Sequence, residues 1–219
     1  MAGRAGKALA GTLTALVVLV VGADIATRLV VQNTLEGRLQ DELALSAAPN
    51  VSIHGFPFLF HLARQRFPSA DIEARRVSAE GLTFRLVRLE VEDLRFSTGG
   101  GLIRARRGTG RAELTDRAVS ELLAAEGAPL TVRFGAGSAS VSADAGGQEV
   151  SAAGRLRLRD GVLVFRPEDA PQGILGSAFA FEVRLPEVIE GVSYRSLELQ
   201  DGVALLAVAL DSSVLRVRV

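Results

Sequence analysis

The sequence predicts one α+β domain, built mostly of antiparallel β-strands, behind an N-terminal membrane-targeting segment. Three patterns indicate this: an apolar run preceded by basic residues, a helical repeat after Asp24, and alternation of apolar and polar residues from Ser69 onward. The chain has 219 residues, which leaves enough after such a segment for a domain with its own core. We therefore expect a single folding unit.

The targeting segment begins with Arg4 and Lys7, which precede an apolar run from Ala8 to Ala23. At about 1.5 Å per residue, about 16 residues reach only about 24 Å, short of the roughly 30 Å hydrocarbon core of a bilayer. Val21-Gly22-Ala23 also offers small residues where a signal peptidase would cut, with Asp24 as the new start. Residues 1–23 can therefore be interpreted as a cleavable signal peptide.

An uncleaved transmembrane helix is the other interpretation of residues 1–23, since their basic flank favours an orientation with the N-terminus inside. Both interpretations place residues 24–219 outside the cytoplasm as one extracytoplasmic domain. We therefore expect the protein to be anchored in the cell membrane or secreted into the cell envelope.

A first helix is predicted from Asp24 to Ser46, where no proline occurs. Its apolar positions recur every four residues, at Val31, Leu35, Leu39 and Leu43. Ala47-Ala48-Pro49 marks its end, because the residue before a proline is pushed out of the helical region. The helix is amphipathic and belongs to the domain.

Glycine turns separate the strands that follow. These turns are predicted at Glu80-Gly81, Gly99–Gly101, Gly146-Gly147, Asp160-Gly161 and Asp201-Gly202. Arginines and aliphatic residues alternate from Arg155 to Arg159 and again from Leu215 to Val219, which indicates a sheet with one wet and one buried face. Val203 to Leu210 is apolar at every position, so this strand is expected to be covered on both faces.

A second helix is predicted from Asp116 to Glu126, capped by Thr115 or Asp116 and stopped at Gly127. Its apolar residues fall on one side, so it is expected to pack on the sheet.

An internal echo links Glu80-Gly81-Leu82-Thr83-Phe84-Arg85 with Glu190-Gly191-Val192-Ser193-Tyr194-Arg195. Leu89 to Asp93 then matches Leu197 to Asp201. The spacers between the two matching blocks differ in length by two residues, so equivalent side chains still point to the same face of the strand. Either the two halves are related, or two half-buried strands after Glu-Gly turns resemble each other by composition.

Composition argues against several classes of function. Lys+Arg and Asp+Glu both number 25, so the chain offers no net field to attract nucleic acid. The absence of cysteine excludes disulfides, thiolate metal sites and a cysteine nucleophile. Catalytic motifs such as H-E-x-x-H and G-x-S-x-G are missing, and His54 and His61 have no carboxylate or cysteine at ligand spacing. We predict a protein that is not an enzyme and holds neither metal nor cofactor.

Two stretches are candidates for binding. Gly55 to Phe60 holds three of the chain's ten phenylalanines beside a turn-forming glycine and proline, so it is either a buried plug or a membrane-contacting tip. Arg104 and Arg106, with further arginines nearby, form the densest basic patch. They could bind phosphate headgroups, or they could be an ordinary exposed strand face.

These residues resemble the LmeA-like phospholipid-binding proteins of the actinobacterial cell envelope. The resemblance lies in the exported N-terminus and its helix, in Val51 to Leu59 with its Gly-Phe-Pro-Phe-Leu block, in Glu80-Gly81-Leu82, and in the closing Leu185 to Val203. Such proteins often have a glycine soon after that block, where this chain has Arg64-Gln65-Arg66-Phe67. The resemblance implies a phospholipid-binding domain in a fold similar to tubular lipid-binding (TULIP-like) domains, with a long curved sheet wrapped around the N-terminal helix.

The leading hypothesis is that acyl chains occupy an apolar groove between the helix and the sheet, while the Phe56–Phe60 loop touches the membrane. The candidate lipid-binding residues are Val31, Leu35, Leu39, Phe56, Phe58, Leu59, Phe60, Phe84 and Leu86, with Arg104 and Arg106 at the headgroup. Phospholipid and the membrane are the predicted partners, in support of envelope lipid transport or biogenesis. The alternative is a non-catalytic envelope scaffold that binds another protein through its sheet.

Overall fold

The structure is a computed structural model that describes residues 2–42, 45–96, 102–144, 146–168, 178–187, 191–211 and 214–216, with side chains for these except 2–17, 42, 102–103 and 214–216. In chain order its elements are α1 (Ala2–Glu42), β1 (Asn50–His54), α2 (Phe58–Ala63), β2 (Arg66–Ala79), β3 (Leu82–Phe96), β4 (Leu102–Arg104), β5 (Arg107–Thr115), α3 (Asp116–Ala125), β6 (Thr131–Gly135), β7 (Ser138–Asp144), β8 (Glu149–Arg159), β9 (Val162–Pro167), β10 (Phe181–Arg184), β11 (Val192–Gln200), β12 (Val203–Asp211) and β13 (Val214–Arg216).

The strands form two antiparallel sheets. The first has the order β1-β2-β3-β5-β12-β11, with β4 and β13 paired beside β3, and the second has the order β10-β9-β8-β7-β6. Both sheets are open and curved, and the N-terminal helix packs against the first. The predicted α+β class is therefore confirmed. The described glycine turns are also as predicted, while the Gly99–Gly101 turn and residues 217–219 lie outside the described residues.

Helix α3 begins and ends where the sequence indicates. The Thr115 hydroxyl accepts the N–H of Ala118 at 3.2 Å, and Gly127 follows the helix with φ +89°. Its buried face consists of Ala118, Val119, Leu122 and Leu123. This face joins one large apolar cluster with both sheets, including Phe84 of β3 and Phe165 of β9. α3 therefore helps to form the main core.

Helix α1 differs from its predicted limits. It runs without a break through Asp24 and ends at Glu42, whereas Ser46 is not helical. No proline interrupts Ala2–Glu42, so the apolar run and the amphipathic segment form one helix. After the helix, the Leu45 N–H donates to the Gln40 carbonyl at 2.9 Å, and the Leu45 side chain is buried in the main core. The predicted end at Ser46 is therefore wrong, since Leu45 and Ser46 are not helical, while Leu43 lies outside the described residues.

Strand β12 is covered less completely than expected. One face is buried, with Ala204, Leu206, Val208 and Leu210, and the other is half-buried, with Val203, Leu205, Ala207 and Ala209. On the half-buried face, Leu205 lies between Glu113 of β5 and Glu198 of β11. The prediction of full cover on both faces is therefore wrong for the second face, which is only half-buried.

The internal echo has a structural counterpart. In β3 the register shifts between Phe84 and Leu86, and in β11 it shifts between Tyr194 and Ser196. Each strand thus has a bulge directly after an aromatic residue, and the two aromatic rings stack with centroids 6.4 Å apart. The match in sequence is therefore also a match in local backbone geometry.

Candidate functional site

The Phe-rich block, Gly55 to Phe60, continues into helix α2, whose N-terminus is held by α1. Pro57, at the N-cap of α2, makes no side-chain cap hydrogen bond. Instead the Asp24 carboxylate accepts the N–H of Phe58 at 2.9 Å and the N–H of Leu59 at 2.7 Å. Asp24 is only 5% exposed, so a buried carboxylate satisfies two N–H groups that the helix itself leaves free. This role of Asp24 was not predicted from the sequence; the signal was a short helix lacking a Ser, Thr, Asp or Asn cap.

The C-terminal end of α2 has the backbone conformation that glycine favours. Gln65 has φ +54°, and its N–H donates to the Leu62 carbonyl at 3.0 Å. A non-glycine residue can adopt this conformation at a modest cost in energy, so the turn forms with Gln65 at this position.

The Phe-rich block divides into buried and exposed residues. Phe58 is fully buried and its ring centroid lies 4.9 Å from that of Phe67. Phe56, Leu59 and Phe60 are 75%, 38% and 49% exposed. The block is therefore both a plug and a tip: one ring anchors it in the core, and three side chains face outward.

The predicted lipid-binding residues of α1 lie on its inner face. Val31, Leu35 and Leu39 are half-buried and pack against a second apolar cluster, which includes Ile53, Phe58, Phe67 and Val91. The Glu36 carboxylate accepts the N–H of Val51 at 2.9 Å and so holds α1 along the edge strand β1. This second cluster, next to α2, is separate from the main core.

Phe84 and Leu86 do not lie together. Phe84 is fully buried in the main core, whereas Leu86 is half-buried and is not among the described residues packed on either cluster. The bulge between them shifts the parity of β3, so that Val87 rather than Leu86 returns to the core face. Of the two, only Phe84 is a core residue, and its cluster is not the one against which Val31, Leu35 and Leu39 pack.

The two predicted headgroup arginines also separate. Arg106 lines a groove of about 570 Å³ beside Phe60, together with Arg64 at the C-cap of α2 and charged residues of β2 and β3. Arg104 is exposed on β4, opposite Arg95, and is not among the residues that line this groove. Of the two, only Arg106 lines the groove beside Phe60.

The two histidines have separate partners. His54 Nε2 lies 2.7 Å from Asp71 Oδ2, and His61 Nδ1 lies 3.1 Å from the Arg66 carbonyl. Among the described residues there is no group of three or more histidine, cysteine or acidic side chains that could hold a metal ion.

The chain was compared with known proteins at three levels. A model of the LmeA-like phospholipid-binding family matches residues 22–219. Comparison with curated proteins and with solved structures gave no match. The family match begins at Gly22, so it includes Asp24, the Phe-rich block and both sheets.

Proposed function

Since the chain belongs to the LmeA-like phospholipid-binding family, we propose that it is a non-catalytic, membrane-anchored protein of the extracytoplasmic side. It takes phospholipid from the bilayer, holds the acyl chain between α1 and the first sheet, and supports lipid transport or biogenesis in the cell envelope. The observation that carries this proposal is the grouping of the exposed apolar side chains in one part of the molecule.

Exposed large apolar side chains belong to two segments of the described chain. They are Val18, Leu19, Val20, Val21, Ile25, Leu29 and Val30 of α1 and Phe56, Leu59 and Phe60 of the Phe-rich block. The hydrogen bonds from Asp24 to the start of α2 join these two segments. A contiguous exposed apolar surface is typical of a membrane contact, and the aromatic rings suit the boundary between acyl chains and water.

The exposed apolar side of α1 supports the proposal that this helix is not cleaved and anchors the protein in the membrane. From Ala8 to Val30 the helix extends over about 33 Å at about 1.5 Å per residue, enough to cross a hydrocarbon core of roughly 30 Å. The part of α1 that is long and apolar enough to cross a membrane, Val18–Asp41, overlaps this stretch from Val18 to Val30. Asp24 and Arg28 do not oppose this arrangement, because both face the domain side and are buried or half-buried.

The seam between α1 and the second apolar cluster suits an acyl chain. Its α1 side is formed by the half-buried Val31, Leu35 and Leu39, which begin one residue after the exposed Val30. A chain could therefore pass from the bilayer along the helix into the domain. Burial of each methylene group is worth about 0.8 kcal/mol in either place, so exchange is nearly balanced and needs no nucleotide.

Membrane contact is tested by depth-dependent fluorescence quenching. The chain has no tryptophan, so the full-length variants Phe56→Trp and Phe60→Trp each carry a single reporter. In vesicles that contain phospholipid brominated on the acyl chain, we expect both to be quenched. The control Val164→Trp, on β9 of the second sheet, should stay unquenched. If a water-soluble quencher quenched all three variants equally and the brominated lipid quenched none of them, membrane contact would be contradicted.

The acyl path is tested by cross-linking the full-length protein to a phospholipid with a photoactivatable acyl chain. We expect adducts on peptides that contain Leu35 and Leu39, and a large decrease in Leu35→Asp. Asn33→Asp serves as the matched control, because Asn33 is exposed on the same helix. Adducts confined to 18–30 and α2 would show an anchor in the bilayer without an acyl site in the domain.

A further inference from the structure

The groove beside Phe60 combines basic and acidic side chains at the apolar end of the molecule. Its volume is about 570 Å³. Phe60 forms part of its lining and is 49% exposed. If Phe60 contacts the bilayer, as proposed above, the groove lies at the level of the lipid headgroups.

One charged cluster in the groove is already paired. Arg66 Nε donates to Asp93 Oδ1 at 2.7 Å, and Arg95 lies 3.6 Å from the other carboxylate oxygen. The hydrogen bond from Arg66 lowers the pKa of the Asp93 carboxyl, which therefore stays ionised. This cluster is internally satisfied and contributes little to a ligand.

Two cations in the groove, Arg64 and Arg106, form no ion pair with a carboxylate among the described residues, although the charge of Arg106 lies near enough to Asp93 to help lower the pKa of that carboxyl. The guanidinium carbon of Arg64 lies 4.0 Å from the centroid of the Phe60 ring, and Arg106 is exposed. The backbone N–H of Arg106 donates to the Glu92 carbonyl at 3.1 Å, which places Arg106 beside β3. Guanidinium groups bind phosphate through paired hydrogen bonds.

Two anions in the same groove, Glu90 and Glu92, are exposed and likewise have no ion-pair partner within the described parts of the chain. They are two residues apart on β3 and so share a face. A headgroup with only negative charge would meet their repulsion, whereas an ammonium group would be attracted. The unpaired charges are therefore two positive and two negative.

We infer that this groove binds a headgroup that carries both a phosphate and an ammonium group, with the phosphate on Arg64 and Arg106 and the ammonium on Glu90 and Glu92. This inference rests on the proposed function, because it takes the headgroup from a phospholipid at the membrane surface. It assigns the lipid class as zwitterionic, of the phosphatidylethanolamine type. It also identifies Arg64, Glu90 and Glu92 as the residues that bind the headgroup together with Arg106.

A zero-length coupling reaction tests the assignment directly. A carbodiimide activates a carboxylate, and the ethanolamine nitrogen displaces the activating group to form an amide, with a net loss of water. The chain has a single lysine, Lys7, so competing side-chain amines are few. In phosphatidylethanolamine vesicles, we expect lipid adducts on Glu90 or Glu92 of the full-length protein. The exposed Glu198 on β11 should remain largely unmodified.

The matched variants separate phosphate binding from general reactivity. Arg64→Gln with Arg106→Gln should lower the adduct yield by about tenfold, the expected effect of losing charge-assisted contacts. Arg157→Gln should leave the yield unchanged, because Arg157 lines a groove in the second sheet. Equal labelling of Glu198 and Glu90, or no effect of the double variant, would overturn the inference.

Two further measurements show whether the headgroup comes from a lipid or from solution, and whether a negative result contradicts the headgroup assignment or the proposed membrane contact. Soluble phosphoethanolamine should give few adducts; a yield equal to that of vesicles would show that the groove takes the free headgroup and not the lipid. If the fluorescence of Phe60→Trp is quenched but Glu90 and Glu92 are not labelled, the headgroup assignment fails and the proposed function stands. If that fluorescence is not quenched, membrane contact itself fails.

Discussion

The carboxylate of Asp24 in the N-terminal helix accepts the backbone N–H of Phe58, 34 residues further along the chain, at 2.9 Å. Its second oxygen accepts the N–H of Leu59 at 2.7 Å. Through these bonds α1 fixes the start of α2 and the direction in which Phe56, Leu59 and Phe60 face. A position that the sequence marks as the end of an apolar segment is therefore also a structural link between two helices.

Asp24→Ala should loosen α2 and lower the free energy of unfolding by about 1–3 kcal/mol, because it leaves two N–H groups without an acceptor. Hydrogen exchange of the Phe58 and Leu59 amides should accelerate. Asp24→Asn should have a smaller effect, since its amide keeps one acceptor oxygen. The control Asp41→Ala, on an exposed part of α1, should change neither; unchanged exchange in Asp24→Ala would contradict the link.

Phe58→Ala should destabilise the protein by about 3–5 kcal/mol, because it empties a fully buried position in the second apolar cluster. Phe56→Ala should change stability by less than about 0.5 kcal/mol, since Phe56 is 75% exposed. Urea denaturation of the two variants measures the difference. Similar losses in both would mean that the Phe-rich block is not divided between core and surface.

Gly110→Ala should destabilise the first sheet by about 1–3 kcal/mol through overpacking. A Cβ at this position would come within 2.2 Å of the Arg88 carbonyl oxygen on β3. Gly37→Ala is the opposite case: nothing lies within 4 Å of the new methyl group, so α1 should gain about 0.5–1 kcal/mol. Thermal unfolding should move in opposite directions for the two variants.

The alkaline limit of stability should depend on Tyr194. Burial, together with the carboxylate of Glu187, raises the pKa of Tyr194 to about 12, and its hydroxyl donates to the Pro186 carbonyl at 2.8 Å. The unfolded chain titrates near about 10. The contribution of the neutral phenol is therefore fully present below about pH 10 and is lost as pH rises from there through about 12.

Tyr194 is the sole tyrosine and tryptophan is absent, so the ultraviolet absorbance of tyrosinate reports this one group. We expect titration near about 12 in the folded protein and near about 10 in denaturant. Tyr194→Phe should flatten the loss of stability over that interval. Titration of the folded protein at the denatured value would show that the phenol is not buried.

Local patterns predicted the elements whose causes lie within a few residues. The Thr115 cap and Gly127 stop define α3 because both act on the adjacent helical turn. Glycine turns and alternating residues likewise define the hairpins β2–β3, β8–β9 and β11–β12. The Gly-Phe-Pro-Phe-Leu block was specific enough to identify the family before any contact was known.

The sequence alone therefore determined the α+β class, the limits of α3, the turns and the family. Only the tertiary structure decided that Asp24 caps α2, that Phe58 is buried while Phe60 is exposed, and that Arg106 lines the groove and Arg104 does not. These outcomes depend on partners far apart in the chain and on bulges that reverse the parity of a strand, as between Phe84 and Leu86. A periodic pattern shows that a face exists, but the packing of the whole chain decides what lies against it.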